Sequence, residues 1–292
     1  MVSDSKFVVY LLDGGGIESM ENKVLIILGM HRSGTSLIAR WMSESGLHIG
    51  NELLGPNIGN EDGHFEDKIF LNFHESVLLK NGMDQVGLLG MNGKKIILDE
   101  SDKQKLAGII EQKNSENTQW GWKEPRTCLF IDDYVSAIKD PIFLIIYRHY
   151  YEVIESLISR EYKVLLSNIS TLKWYVKFQK IIYFKYKLKP VLIEEYLNAW
   201  ILYNLNLVSD RIKNDPNSFY LNYKDLLNHD SQLIDWLRSK GIKINHVPFT
   251  AIFDNKKIHA NKNGKKFKIR NKELVKKADS LLSKLNSLNI CR

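Results

Sequence analysis

Apolar residues run through the chain in two unbroken stretches and in a series of spaced stripes. Val24, Leu25, Ile26, Ile27 and Leu28 form the first stretch, and IFLIIY at 142–147, introduced by Pro141, forms the second. Neither alternates with polar residues, which is the pattern of a parallel strand buried on both faces of an α/β sheet. Behind the first, Leu37, Ile38, Trp41 and Met42 recur on one helical face, with Gly46 where a helix stops. Behind the second, Val153, Ile154, Leu157 and Ile158 keep the same spacing. Between them, Asp67 can cap a helix beginning at Lys68, with Ile69, Phe70, Phe73, Val77 and Leu78 on its buried side and Gly82 beyond its end. Residues 101–112 carry a further stripe of Leu106, Ile109 and Ile110. In QWGWKEPR at 119–126 the two tryptophans alternate as in a strand, and Pro125 forbids its continuation inside a sheet. Residues 129–139 are amphipathic, and residues 191–213 read as one long helix with Leu197, Trp200, Ile201, Asn204 and Val208 in phase. The pattern therefore predicts helices alternating with parallel strands.

The polar positions between the first strand and its helix carry chemistry. GMHRSGTS at 29–36 must turn a strand end into a helix start, which aims several N–H groups and the positive end of a helix dipole at one point. Glycine lets the backbone close around an anion, and Ser33, Thr35 and Ser36 add hydroxyl donors. The spacing is G-x-x-x-x-G, but Thr35 stands where an ATP-binding P-loop carries Lys, so Arg32 is the cation the loop itself supplies. Arg148 directly follows the second apolar strand, and Ser156 lies about two helical turns further on. An α-helix rises ~1.5 Å per residue, so a long Arg can reach back to meet that Ser over one anion.

GMHRSGTS resembles the 5′-phosphosulfate-binding loop of the sulfotransferases that use 3′-phosphoadenosine 5′-phosphosulfate (PAPS) as donor. The resemblance extends over most of residues 23–240 and implies a three-layer, P-loop NTPase-like α/β fold with a central parallel sheet and helical insertions. It implies that His31, Arg32, Ser33, Gly34, Thr35 and Ser36 hold the 5′ end of the donor, and that Arg148 and Ser156 hold its 3′-phosphate. It also implies that Lys123, at the end of the QWGWK strand, stands beside the bridging oxygen, where an ammonium neutralises charge on the departing phosphate. Arg126 is a second cation for the same pocket, and an ordinary Lys123–Glu124 surface pair is the competing reading. Asn60, Gly63, Phe65 and Glu66 follow the N-x-x-G-x-F-E pattern of bacterial members, in the region that contacts the acceptor. SFYLNYKDLL resembles the family's late strand, acidic-Leu-Leu turn and helix to Gly241, with Tyr223, Asp225 and Leu226 as structural residues. GKKFKIR near the end resembles the loop that closes the nucleotide pocket, making Lys265 and Arg270 candidates, with a solvated basic tail as the alternative.

Glu66, or His64 after it, is the candidate base for the acceptor proton, and low-dielectric surroundings are expected to raise the Glu66 pKa toward a useful value. The plainer alternatives are that Glu66 and Asp67 favour the dipole of the next helix and that His64 is a surface imidazole.

Composition narrows the rest. With 292 residues, 44% of them hydrophobic, the chain can bury a full core, and residues 20–292 read as one catalytic domain preceded by a leader or edge element at 1–19. No apolar run nears the ~20 residues of a membrane span. The two cysteines, Cys128 and Cys291, have no metal-ligand spacing, and a reduced, cytoplasmic setting is expected with no metal required. A net charge of +7 points to anionic ligands without naming nucleic acid. Residues 162–193 hold seven Lys, seven aromatics and no acid. They read as amphipathic helices whose Lys stems cover apolar surface, or as an acceptor cleft within a helical insertion at 162–213.

The expected activity is transfer of a sulfuryl group from PAPS to an acceptor hydroxyl or amine, on a saccharide or glycolipid, releasing 3′-phosphoadenosine 5′-phosphate (PAP). An ATP-dependent P-loop kinase and a non-catalytic nucleotide-binding module are the rivals.

Overall fold

The computed structural model describes residues 22–56, 63–91, 93, 95–253 and 267–290. The leader expected at 1–19, Asn60, Lys265 and Cys291 lie outside them. Four strands, β1 (Lys23–Leu28), β2 (Gln119–Lys123), β3 (Ile142–Tyr147) and β4 (Ser218–Asn222), pair in the order β2-β1-β3-β4. Every pairing is parallel, with Ile27 opposite Lys123 on one side of β1 and opposite Leu144 on the other. The chain is thus α/β.

The unbroken apolar runs have the expected reason. Val24, Ile26 and Leu28 face one helical layer together with Phe143 and Ile145, while Leu25 and Ile27 face the opposite layer with Ile142, Leu144 and Ile146. Against the first face pack α2 (Lys68–Lys80), α3 (Glu100–Glu116), α5 (Tyr150–Asn168) and α7 (Lys189–Leu207), joined by α11 (Lys272–Leu288). Against the second pack α1 (Thr35–Glu44), α9 (Leu226–Ser239) and α10 (Phe249–Ile252). Three layers result, and each fully buried Leu or Ile in them contributes about 1.5–3 kcal/mol of apolar burial.

The alternating tryptophans of β2 both turn to the first face. Phe70 of α2 stacks on Trp122 with ring centroids 4.3 Å apart, and the indole N–H groups of Trp120 and Trp122 donate to Asn114 and Thr127. Pro125 opens a short 3-10 turn (Pro125–Leu129) instead of letting β2 continue, and α4 (Ile131–Ala137) begins two residues later than the periodicity suggests. The long helix expected at 191–213 is divided into α7 and α8 (Asp210–Lys213), with Val208 and Ser209 between them. Residues 162–213 otherwise contain the end of α5, α6 (Trp174–Tyr183) and a π-helical turn (Phe184–Leu188). Trp200 and Tyr203 of α7 are fully buried, so this helix belongs to the core.

Asp67 fixes the connection between α1 and α2. Its side chain accepts from the Ile69 N–H as the helix cap and forms a buried 2.6 Å ion pair with Lys113 of α3. The preceding chain is held by N–H donation from Leu54 to the Glu66 carbonyl and from His64 to the Leu54 carbonyl. Asp67→Ala therefore leaves a buried ammonium without its carboxylate, and urea unfolding should show a loss of about 3–5 kcal/mol. An Asp67→Asn/Lys113→Met double variant, which removes both charges and keeps a capping oxygen, should recover most of it.

Candidate functional site

All four strands end at one cavity of about 350 Å³. The loop after β1 contributes His31, Arg32, Gly34, Thr35 and Ser36, β2 ends in Lys123, Arg148 follows β3, and Tyr223 follows β4. The strand order reverses direction on leaving β1, and the crevice beyond the carboxyl ends at such a point is where open α/β sheets bind ligands.

The loop can close this tightly because two positions have no room for a side chain. A Cβ on Gly29 would sit 2.4 Å from the Ile146 carbonyl oxygen, and one on Gly34, at φ +95°, would sit 2.2 Å from the Tyr223 ring. The Gly29 N–H donates to the Cys128 thiol, which burial pushes up to about 12, so the sulfur stays protonated beneath the loop. Gly34 leads directly into α1, whose first N–H groups have no carbonyl one turn back and face the cavity end. Ser33 is buried and does not line the cavity, whereas Thr35 and Ser36 do.

Arg32 adopts a left-handed backbone at φ +67°, uncommon for a residue with a side chain. Its Nε donates to Ser156 Oγ at 2.9 Å, and its carbonyl accepts from Arg148 Nη1 at 3.4 Å. Loop, β3 end and α5 are therefore joined through Arg32, to which Ser156 and Arg148 both bond; the expected meeting of Arg148 and Ser156 over one anion is not itself seen. Arg148 is also held from behind: its Nε pairs with Glu152 at 2.7 Å, and its guanidinium lies over the Tyr223 ring at 5.1 Å. Arg160, one turn beyond Ser156 on α5, adds a third guanidinium. Burial first, then Arg160 and Arg148, draw the Arg32 pKa downward. Among the described residues, five Arg and Lys side chains line the cavity against the one carboxylate of Glu66. Such a lining favours an anionic occupant carrying more than one charge.

At the other end, Lys123 Nζ donates to Glu66 Oε1 at 2.7 Å, to the His64 carbonyl at 3.1 Å and to Ser36 Oγ at 3.2 Å. It is buried and paired with Glu66, so the surface pair with Glu124 does not form. The expected upward shift of Glu66 is corrected too. Burial alone acts to raise its pKa, but Lys123 and then the His64 bond oppose it, and the carboxyl is held well below the usual carboxylate range. Of the plain alternatives only the Asp67 part holds, since Asp67 caps α2, whereas Glu66 is buried in an ion pair and His64 lies in the cavity wall. His31 Nε2 is shut off from solvent without a partner, and burial, then Arg126, keep its imidazole well below the ordinary value. It is a neutral group facing the cavity.

Arg126 does not line the cavity. It is drawn into a buried network with Glu124, Glu75 and the Gln85 carbonyl, in which His74 bridges Glu124 and Tyr134. Arg270 is exposed ahead of α11, outside the lining. No residue of 162–213 lines the cavity either. Asp225 and Leu226 are structural, bonded to Asn289 and buried respectively, but Tyr223 both braces Gly34 and walls the site. Sequence reasoning missed this second role along with Arg160, although Arg160 follows Ser156 at the i+4 spacing that shares one helix face. Phe253 and Ile252, at the end of α10, also line the cavity, and no local pattern in the sequence marks them.

No protein-family model matches the chain, and no curated protein does. Among solved structures, it is similar to the sulfotransferase domain of the olefin synthase of Synechococcus PCC 7002. That pair has 16% identity and a TM-score of 0.44, over 92% of this chain and 94% of that one. It is also similar to sulfotransferase STF9 from Mycobacterium avium, with 13% identity and a TM-score of 0.46 over 93% of this chain and 78% of that one.

Proposed function

We propose that the chain is a sulfotransferase that takes PAPS as donor and an acceptor hydroxyl or amine as nucleophile. The observation that carries this reading is a pair of cationic groupings in one cavity wall, Lys123 with Ser36 and Arg148 with Arg32 and Ser156. A nucleotide with a phosphate on the 3′-hydroxyl and a phosphosulfate on the 5′ carbon presents charge at both ends of one ribose. An ordinary nucleoside triphosphate leaves the second centre without a partner. Position 35 also counts against a kinase, because a buried Thr fills the place of the P-loop Lys and the cation near Ser36 arrives instead from β2.

The donor supplies an activated sulfuryl group. The protein's part is positioning and electrostatics, as in phosphoryl transfer. Lys123 exchanges Glu66 for the developing charge on the leaving phosphate, while the loop N–H groups and Ser36 stay fixed on the same oxygens. Losing its ammonium partner frees the Glu66 carboxylate from the largest influence that lowers its pKa, and burial then raises its basicity. The carboxylate takes the acceptor proton as the new bond to sulfur forms and the bridging S–O bond breaks. The ion pair is thus a resting state that donor binding opens. His64, 3.7 Å from Glu66, holds the carboxylate in place. The acceptor is proposed to be a saccharide or glycolipid, although the aromatic residues at 162–200 that suggest it in the sequence do not line the cavity.

In calorimetric titrations, PAP should bind without Mg²⁺ and more tightly than ADP. Arg148→Ala should weaken PAP roughly 10- to 150-fold while hardly affecting adenosine 5′-phosphosulfate, since a hydrogen bond to a charged group contributes about 1.5–3 kcal/mol. Equal losses for both would remove the 3′-phosphate assignment. Glu66→Gln should reduce sulfate transfer by about 10²–10⁴-fold with PAP affinity nearly intact. Because the Glu66 pKa is lowered on folding, its contribution to stability is present above the ordinary glutamate value of 4.5 and is lost as pH falls below it. Lys123→Met reverses the sign: burial then dominates, the Glu66 pKa rises, and stability should fall as pH climbs through the raised value. Chemical denaturation across about pH 4–8 reads the change of slope.

A further inference from the structure

Residues 162–193 carry a charge as large as that of the whole chain, seven Lys with no Asp or Glu against a net +7, so the other residues balance. The same segment holds seven aromatics. Folding divides it by face. Phe184, Leu192 and Ile193 turn inward and are buried in the core, with the Tyr162 ring against Phe184 at 5.5 Å. On α6 the opposite occurs, since none of its residues is buried. Trp174, Phe178 and Ile182, spaced by four along one stripe with Tyr175 beside it, are 78%, 59%, 40% and 47% exposed. Tyr183 and Tyr186 continue the apolar surface into the π-helical turn. A stripe of this kind normally faces a core. Here no residue of α6 is buried in the core or packs against it.

Exposed Lys173, Lys180, Lys185 and Lys187 are interleaved with it. Among the described residues no helix is long and apolar enough to cross a membrane, so the element can lie along a surface and not through one. Trp and Tyr with polar tips, an aliphatic Ile and Lys ammonium groups on long stems are the composition of a helix seated at the headgroup boundary. A single-stranded nucleic acid would use the lysines and the rings, but the aliphatic Ile182 within the stripe offers no base a stacking face. An acidic headgroup layer over hydrocarbon satisfies both halves of the pattern.

We propose that α6 and its flanking turn dock the protein, peripherally and in the plane of the interface, on a bilayer rich in anionic lipid. The helix that leads into this surface is α5, which carries Ser156 and Arg160 in the cavity wall and Tyr162 on its next turn. Docking would therefore bring the cavity near the headgroups, whichever donor it takes.

Vesicle co-sedimentation of the full chain, without nucleotide, tests this. Vesicles of phosphatidylcholine mixed with phosphatidylglycerol should bind the protein, and phosphatidylcholine alone should bind it at least ~10-fold less, each basic residue near an anionic surface contributing about 1 kcal/mol. Trp174→Ser/Phe178→Ser should abolish binding, and Lys180→Gln/Lys185→Gln/Lys187→Gln should remove the preference for anionic lipid. All five side chains are exposed and outside the cavity, so PAP titration and thermal unfolding of both variants should match the parent. Equal binding to the two vesicle types would overturn the proposal. So would a dimer in sedimentation velocity that Trp174→Ser/Phe178→Ser dissociates, or capture of a single-stranded oligonucleotide in place of vesicles.

Discussion

Like charges crowded at the carboxyl ends of the sheet are the condition under which the rest of the site is built. Arg32, Arg148 and Arg160 approach one another with Lys123 further along the same cavity, and among the described residues the only carboxylate in its wall is Glu66. Such a cluster is unfavourable without an anion, and the fold limits the cost by outside attachments. Glu152 takes the back of Arg148 and also pairs with Lys224, Glu161 takes Arg160, and the Tyr223 ring accepts the face of Arg148. These contacts satisfy one side of each cation and leave the other toward the cavity. An anion that fills it relieves the repulsion, and any ligand that binds only the folded state stabilises it in proportion. Folding and recognition are coupled through this one charge imbalance.

The geometry that assembles the charges follows from the strands. Residues buried on both faces must be apolar throughout, so β1 and β3 were visible as unbroken runs, and the loops at their carboxyl ends had to hold the polar chemistry. That is why the 29–36 loop, Arg148 and Ser156 were legible together. Asp67 and Gly82 were legible as helix ends because capping and left-handed turns restrict residue type locally. Pro125 was legible as a stop, but not the 3-10 turn that follows it, because periodicity does not distinguish a turn from the start of a helix.

What escaped the sequence depends on tertiary neighbours. The direction of the Glu66 shift is set by Lys123, 57 residues away at the end of β2 and bonded also to the His64 carbonyl. Burial alone argues for the opposite sign. Arg126 sits three residues after Lys123 and looks equivalent in the string QWGWKEPR, yet the turn at Pro125 sends it toward Glu75 and Glu124 and away from the cavity. Tyr223 looked structural and is so, but a ring wedged against Gly34 is also a wall. The aromatic, lysine-rich segment was ambiguous for a related reason, since composition gives an amphipathic helix without saying which face the core will take.

The thiol under the 29–36 loop also bears on the chain's response to oxidants. Cys128 is sealed from solvent, accepts the Gly29 N–H, and has its ionisation pushed up to about 12, so the thiolate needed for attack on peroxide or an alkylating reagent is essentially unpopulated at neutral pH. A sulfur placed where its modification would disrupt the loop is thereby chemically silent, and the loop's shape is insulated from swings in oxidant level.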